Sequence, residues 1–139
     1  MSEEVFIRVS SNSKHLCLIR DVTRKVTSSM GFSEVEAGRT VLAIDEACCN
    51  VIKYSYGDDG SGQIEVTFKM LEEALEITIR DYGQCGKELD FDKLQCIEDK
   101  EIEPGGYGVG IMKCVMDSIE YTPCSDGGGN TLTMVKQIK

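Results

Sequence analysis

The sequence predicts a two-layer α/β sandwich, in which a mainly antiparallel sheet of about five strands carries three helices on one face. The predicted elements follow in the order strand, two helices, hairpin, helix and two strands. Apolar residues alternate with polar ones in the strand segments and recur every three or four residues in the helical segments. Because the chain has 139 residues and no internal repeat, we expect a single domain over residues 1–139.

The first strand and the first helix are predicted in residues 3–9 and 14–30. Alternation in the strand puts Val5, Ile7 and Val9 on one side, which is typical of a half-buried strand. The helix carries apolar residues at helical spacing, namely Leu16, Ile19, Val22 and Val26. Gly31 should end this helix with a positive φ.

The central helix is predicted to begin at the capping box of Ser33 and Glu36 and to run to about Tyr54. Its buried side is formed by apolar residues at helical spacing, namely Val41, Ile44, Cys48, Val51 and Ile52. Glu46 and Asn50 are four residues apart, so the helix places a carboxylate one turn from an amide on one face. Taken alone, this pair is more typical of a solvated face than of a functional site.

The second half of the chain is predicted to hold a hairpin, a third helix and two closing strands. These elements fall in residues 64–70, 74–79, 111–116, 119–123 and 131–138. Residues 89–104 fit neither pattern, and a connection of this length is often a lid over a site.

The net charge of the chain disfavours partners that are themselves strongly negative. The 24 Asp and Glu against 15 Lys and Arg give a formal charge of −9, which repels nucleic acid and anionic membranes. We therefore expect no direct nucleic-acid or membrane partner. Arg20, Arg24 and Lys25 form a basic face on the first helix, which is either a solvated face or a docking surface for a partner protein.

The cysteines and the amino terminus indicate the compartment. The first residues lack the positive start and apolar core of a signal peptide, and no apolar run is long enough to cross a membrane. Seven cysteines without a CxxC pair are typical of reduced thiols, so we expect a cytoplasmic protein. With His15 as the single histidine, no zinc site is expected. We interpret the adjacent Cys48 and Cys49 as core and near-core fillers.

Two glycine-containing stretches could form a nucleotide site. In residues 105–110, GGYGVG, several amides can turn toward one anion at the start of a helix. The missing Lys-Ser or Lys-Thr and the missing preceding strand disfavour the Walker and dinucleotide patterns. Asp81 ends an apolar strand, so its carboxylate could accept a hydrogen bond from the adenine amine while Gly83 lets the base approach. Each stretch alone is an ordinary turn signal.

Four stretches together resemble the GHKL, or Bergerat-fold, ATP-binding superfamily. They are IDEACCNVIKYSY, DYG, GGYGVGIMKCVMDSIEY and GNTLTMVK, in this order and across nearly the whole chain. Within the superfamily the chain is most similar to the bacterial anti-sigma-factor serine-protein kinases. The resemblance implies the Bergerat fold, ATP and Mg²⁺ as cofactors, an anti-sigma-factor antagonist as the phosphorylated partner, a sequestered sigma factor and a homodimer.

The resemblance also implies roles for single residues. Glu46 matches the acid that orients or deprotonates the attacking hydroxyl, and Asn50 matches the asparagine that ligates Mg²⁺. Asp81 matches the adenine-binding acid, Gly83 the glycine beside the base, and Thr131 the threonine near the adenine. The phosphate side corresponds to Gly106, Gly108, Val109 and Gly110, and the segment before Gly105 corresponds to the lid.

Three departures from the family pattern leave alternatives open. Gly86 follows DYG later than the usual second glycine, Tyr54 stands where relatives commonly carry a basic residue, and Pro104 stands where some carry an arginine. Without that arginine, Mg²⁺, Lys53 or a partner would have to neutralise the transferring group. One alternative is therefore a nucleotide-responsive binding module without phosphoryl transfer. The detached ATPase domain of a histidine sensor kinase and a plain two-layer domain are the others.

Overall fold

The computed structural model describes residues 3–84, 108–123 and 129–138. Its strands are β1 (Glu3–Ser10), β2 (Gln63–Met70), β3 (Ala74–Asp81), β4 (Ser118–Thr122) and β5 (Asn130–Gln137). Its α-helices are α1 (Leu16–Ser29), α2 (Glu34–Asn50) and α3 (Gly108–Val115). The strands form one antiparallel sheet in the order β1-β2-β3-β5-β4. The predicted two-layer sandwich is confirmed, and the predicted lid, Gly86 and Pro104 lie outside the described residues.

The sheet has one buried face and one face that is partly open to solvent. Successive strand residues point to opposite faces, so the buried side chains recur at every second position. Along one row Phe68 pairs with Ile77, and Ile77 pairs with Met134, and all three side chains are fully buried. A slip by one residue would turn this row toward water, so burial fixes the register.

Helix α2 is the middle helix and packs against both α1 and α3. It ends at Asn50 and continues as a π-helical turn at Val51–Ser55, whereas one helix was predicted to about Tyr54. Of the residues predicted to be buried, Val51 is only half-buried and the other four are buried, namely Val41, Ile44 and Cys48 of α2 and Ile52 of the turn. Burial raises the pKa of the Cys48 thiol, which therefore stays protonated in the core. The amide of Glu36 donates to Ser33 Oγ at 3.1 Å, which confirms that Ser33 caps the helix.

Helix α1 follows a short 3₁₀ turn at Ser13–His15 and ends where Gly31 takes the expected positive φ of 90°. Arg20, on the predicted basic face of this helix, is 43% exposed and also pairs with a neighbouring helix. Its guanidinium donates to Asp45 Oδ1 of α2 at 2.7 Å, so Arg20 connects the two helices. In the described ranges, no helix combines the length and apolar character needed to cross a bilayer.

Candidate functional site

Helix α2 ends in a widened turn directly after Asn50. Residues Val51–Ser55 form a π-helical turn, in which the amide of Tyr56 donates to the carbonyl of Val51 at 3.2 Å. Such turns are rare and occur frequently at functional sites. The Glu46 and Asn50 side chains are half-buried, and no residue in the described part of the chain hydrogen-bonds to either. Both side chains are therefore available to a ligand.

Asp81 is the last residue of β3, and it is buried, with an exposed fraction of only 3%. Its Oδ1 accepts hydrogen bonds from the Gly83 amide at 3.1 Å and from Asn130 Nδ2 at 2.9 Å. Within the described ranges, no group donates to the second oxygen, Oδ2. Because a buried charge without a donor is costly, an N–H group of a ligand would be stabilised at Oδ2.

Tyr121 of β4 is a neutral neighbour of this carboxylate. Burial, and to a smaller degree the negative charge of Asp81, raise the pKa of the Tyr121 phenol. The phenol therefore stays protonated at neutral pH and adds no charge beside Asp81.

Gly83 lies directly against the turn that follows α2. A Cβ at this position would overlap the carbonyl oxygen of Ser55, so only glycine fits without movement of the backbone. The next amide, that of Gln84, donates to the same Ser55 carbonyl at 2.8 Å. The segment that follows Asp81 is thus fastened to the segment that follows Asn50.

Asn130, and not Thr131, lies beside Asp81. Asn130 is opposite Asp81 in the sheet, is 1% exposed, and donates from Nδ2 to Asp81 Oδ1 and to the Gln84 carbonyl, each at 2.9 Å. Thr131 is opposite Arg80 and Thr122, so its side chain points to the other face of the sheet. The structure thus brings Asn130, which the sequence reasoning missed, against Asp81, and the adenine-side role of Thr131 stays a prediction.

A sequence signal for Asn130 was nevertheless present. Leu132 and Met134 of the same strand are apolar and buried, and Asn130 shares their parity. Counting back by two from these residues would have placed Asn130 on the buried face and Thr131 on the open one.

The glycine stretch is described only in part. Gly108, Val109 and Gly110 form the first turn of α3, which begins three residues earlier than the apolar pattern predicts. Gly106 lies outside the described residues. Because α3 packs against α2, its first turn belongs to the helical layer that also carries Glu46 and Asn50. The phosphate-side role of these glycines stays a prediction.

The polar groups of the site suit a cation that is shared with phosphate. In residues 3–84, 108–123 and 129–138, no group of three His, Cys, Asp or Glu side chains could hold a metal ion. Asn50 offers one uncharged amide oxygen. Mg²⁺ usually binds through few protein oxygens together with phosphate and water oxygens, so this sparse donor set fits it.

A family model for the histidine kinase-like ATPase domain matches residues 9–136 of the chain. The chain belongs to the histidine kinase-like ATPase family. This membership covers both α2 with Glu46 and Asn50 and the two strands that hold Asp81 and Asn130. The GHKL resemblance predicted from the four sequence stretches is confirmed.

Individual members of the family are similar over nearly the whole chain. The serine-protein kinase RsbW of Bacillus pumilus (strain SAFR-032) is 30% identical over 142 residues, which cover 94% of this chain and 83% of the relative. The serine-protein kinase RsbW of Bacillus subtilis (strain 168) is 25% identical over 147 residues, which cover 99% of this chain and 87% of the relative.

Two solved structures share the fold. A chain with the RsbU and RsbW domains of a Mycobacterium tuberculosis protein superposes with a TM-score of 0.69 at 17% identity, over 98% of this chain and 32% of that one. The histidine kinase domain of the Erythrobacter litoralis EL346 blue-light activated histidine kinase superposes with a TM-score of 0.56 at 19% identity, over 93% of this chain and 61% of that one.

Proposed function

We propose that this chain is an ATP-dependent serine/threonine-protein kinase that phosphorylates an anti-sigma-factor antagonist and, with nucleotide bound, sequesters a sigma factor. Two relatives named serine-protein kinase support the activity. The observation that carries the proposal is the buried Asp81 carboxylate, because one oxygen is fixed by Gly83 and Asn130 and the other is left for a ligand. The partners come from the family resemblance alone.

Asp81 would select adenine through its free oxygen. Oδ2 can accept a hydrogen bond from the exocyclic amine of adenine. Guanine carries a carbonyl oxygen at the corresponding ring position. This oxygen would face Asp81 Oδ2, and neither of these two acceptors would then have a donor. The chain should therefore prefer ATP to GTP.

Asn50 and Glu46 would act at the phosphate end of the nucleotide. Asn50 would hold Mg²⁺, which, when bound, neutralises charge on the phosphate oxygens. The Glu46 carboxylate, one helical turn away, would accept the proton of the serine or threonine hydroxyl. The hydroxyl oxygen would attack the γ-phosphorus while the bond from this phosphorus to ADP breaks, so ADP would leave. We further propose that residues 1–139 work as one unit in the cytoplasm and form a homodimer.

The selectivity experiment titrates the parent and Asp81→Asn with ATP and with GTP, each with Mg²⁺. The parent should prefer ATP, and the variant should lose about 10- to 100-fold in ATP affinity, because a hydrogen bond to a buried charge is worth about 1.5–3 kcal/mol. Asp21→Asn is the matched control, since Asp21 is exposed on α1. Equal ATP affinity in parent and Asp81→Asn would remove Asp81 from the site.

A second candidate is a nucleotide-responsive binding module without phosphoryl transfer. Without an arginine at position 104, Lys53 is a candidate to neutralise the transferring group, because it is the cation nearest in sequence to Asn50. One observation favours the binding module: Lys53 is exposed, and its Nζ lies 5.2 Å from the centre of the Tyr54 ring, so its charge already has a partner. Partner release should then proceed equally with ATP and with a non-hydrolysable analogue. Release that requires ATP, with phosphate appearing on the antagonist, supports the kinase instead.

A further inference from the structure

The hydroxyl group of Tyr56 makes three hydrogen bonds to the main chain. It donates to the Gln63 carbonyl at 2.6 Å and accepts from the Gln63 amide at 3.2 Å and from the Tyr82 amide at 2.8 Å. A phenol has one hydrogen and two lone pairs, so its hydrogen-bonding capacity is fully used. We refer to Tyr56 and these three bonds as the tyrosine clasp.

The clasp joins three segments that meet at the proposed nucleotide site. Tyr56 follows the π-helical turn after Asn50, Gln63 opens β2, and Tyr82 follows Asp81. The last pair of the β2–β3 ladder is Ile64 with Asp81, so one further pair would set Gln63 opposite Tyr82. The hydroxyl stands between the Tyr82 amide and the Gln63 carbonyl, so a side chain from the helical layer takes the place of the next ladder bond.

The surroundings of the clasp are shaped to hold the ring. A Cβ at Gly62 would overlap the Tyr56 ring, so glycine allows the chain to approach the aromatic face. One residue before Tyr56, the Ser55 carbonyl accepts the Gln84 amide at 2.8 Å. Ser55 and Tyr56 therefore accept hydrogen bonds from the amides of Gln84 and Tyr82, the two residues that flank Gly83.

We infer that Tyr56 is a positioning residue that fixes the spacing between Asn50 and Asp81. The inference rests on the proposed function, in which Mg²⁺ lies at Asn50 and adenine at Asp81. A ligand that spans both ends gains affinity when the protein holds the two ends at the right separation before binding. A ligand that contacts the Asp81 end alone gains nothing from that separation.

The test replaces Tyr56 by Phe, which removes the hydroxyl and keeps the ring against Gly62. Parent and variant are titrated with adenosine, which spans only the base end, and with Mg-ATP, which spans both. Adenosine affinity should stay within about twofold of the parent, whereas Mg-ATP affinity should fall about tenfold. Tyr54→Phe is the control, because Tyr54 lies two residues earlier and is 58% exposed, and it should change neither affinity.

Hydrogen exchange of the parent gives a second measurement that needs no variant. The Tyr82 amide donates to the Tyr56 hydroxyl. Because Mg-ATP spans both ends of the site and adenosine only the base end, exchange of this amide should slow about tenfold more on saturation with Mg-ATP than on saturation with adenosine. This readout remains informative if Tyr56→Phe does not fold.

Two outcomes would overturn the inference and leave the kinase proposal standing. They are an equal loss of adenosine and Mg-ATP affinity in Tyr56→Phe, which is the mark of general destabilisation, and equal protection of the Tyr82 amide by both ligands. A parent that does not bind Mg-ATP would instead contradict the proposed function, and the inference would fall with it.

Discussion

Polar side chains near the amino end of α2 have partners within the protein, whereas those of Glu46 and Asn50 at its carboxyl end have none among the described residues. At the amino end, Glu36 Oε2 lies 2.8 Å from Lys136 Nζ of β5, and the Glu36 carbonyl accepts the Thr40 hydroxyl at 2.8 Å. At the carboxyl end, the side chains of Glu46 and Asn50 are half-buried and hydrogen-bond to none of the described residues. Polar groups with protein partners stabilise the fold, and those left without them are available for ligands.

Two glutamates on the same helix illustrate the difference. Lys136 is only 5% exposed, so its charge needs the Glu36 carboxylate. Glu46 has no such partner among the described residues and shares its helix face with Asn50. We propose that Glu36 stabilises the fold and that Glu46 acts at the nucleotide site, and the following experiments test this division.

The largest expected effect is on phosphoryl transfer in Glu46→Gln. Loss of a general base typically lowers a rate by 10²–10⁴-fold, so we expect transfer to an antagonist that the parent phosphorylates to fall about 10³-fold. ATP affinity should change little, because the amide keeps the size of the side chain. Glu36→Gln is the matched control and should keep the rate of its folded fraction; equal rates in parent and Glu46→Gln would reject the assigned role.

The next effect is on the free energy of unfolding in Glu36→Gln. The change leaves the Lys136 ammonium buried without its carboxylate, which should cost about 3 kcal/mol. Chemical denaturation measures this loss, and Glu46→Gln should show almost none. Adding Lys136→Met to Glu36→Gln should restore most of the stability, because an apolar side chain no longer needs a partner. A double variant as unstable as the single one would contradict this explanation.

Two glycine substitutions should have effects of opposite sign. Gly83→Ala should destabilise the chain by about 1–3 kcal/mol, because its Cβ would overlap the Ser55 carbonyl, which is backbone and yields only if the turn after α2 shifts. Gly38→Ala, in the interior of α2 with open space around the added methyl group, should stabilise by about 0.5–1 kcal/mol. Thermal unfolding with and without ATP measures both, and a neutral Gly83→Ala would deny the close contact between the two segments.

The smallest effect is expected for the ion pair between Arg20 and Asp45. Their side chains are 43% and 23% exposed, so solvent screens the interaction, and Asp45→Asn should cost only about 0.5 kcal/mol. Adding salt should reduce the difference between parent and variant. If Asp45→Asn lowers the free energy of unfolding as much as Glu36→Gln does, solvent exposure does not explain the difference in strength between the two ion pairs.

The elements of the fold could be predicted because their signals are local. Alternation gave the strands, three-and-four spacing gave α1 and α2, and the side chain of Ser33 caps α2 as its position three residues before Glu36 indicates. Among the residues that the structure describes, none hydrogen-bonds to the Glu46 or Asn50 side chain, which is consistent with their predicted roles and leaves those roles to be tested.

The remaining features depend on contacts between distant segments. Glu36 and Lys136 are one hundred residues apart in sequence, and no local pattern links them. The π-helical turn after Asn50 is held in place by its fit to Gly83 and Gln84, which follow a different strand. The role of Asn130 depends on which face of β5 meets Asp81, a matter of sheet register that the motif alone does not express.

We propose that Mg-ATP binds between the carboxyl end of α2 and the end of β3. Calorimetric titration of the parent and of Asn50→Ala with ATP, each with and without Mg²⁺, tests it most directly. The parent should bind ATP and gain about tenfold or more in affinity from Mg²⁺, and Asn50→Ala should lose this gain. If the parent releases no heat and keeps its melting temperature at millimolar Mg-ATP, it does not bind this ligand, because a ligand of the native state must raise its stability.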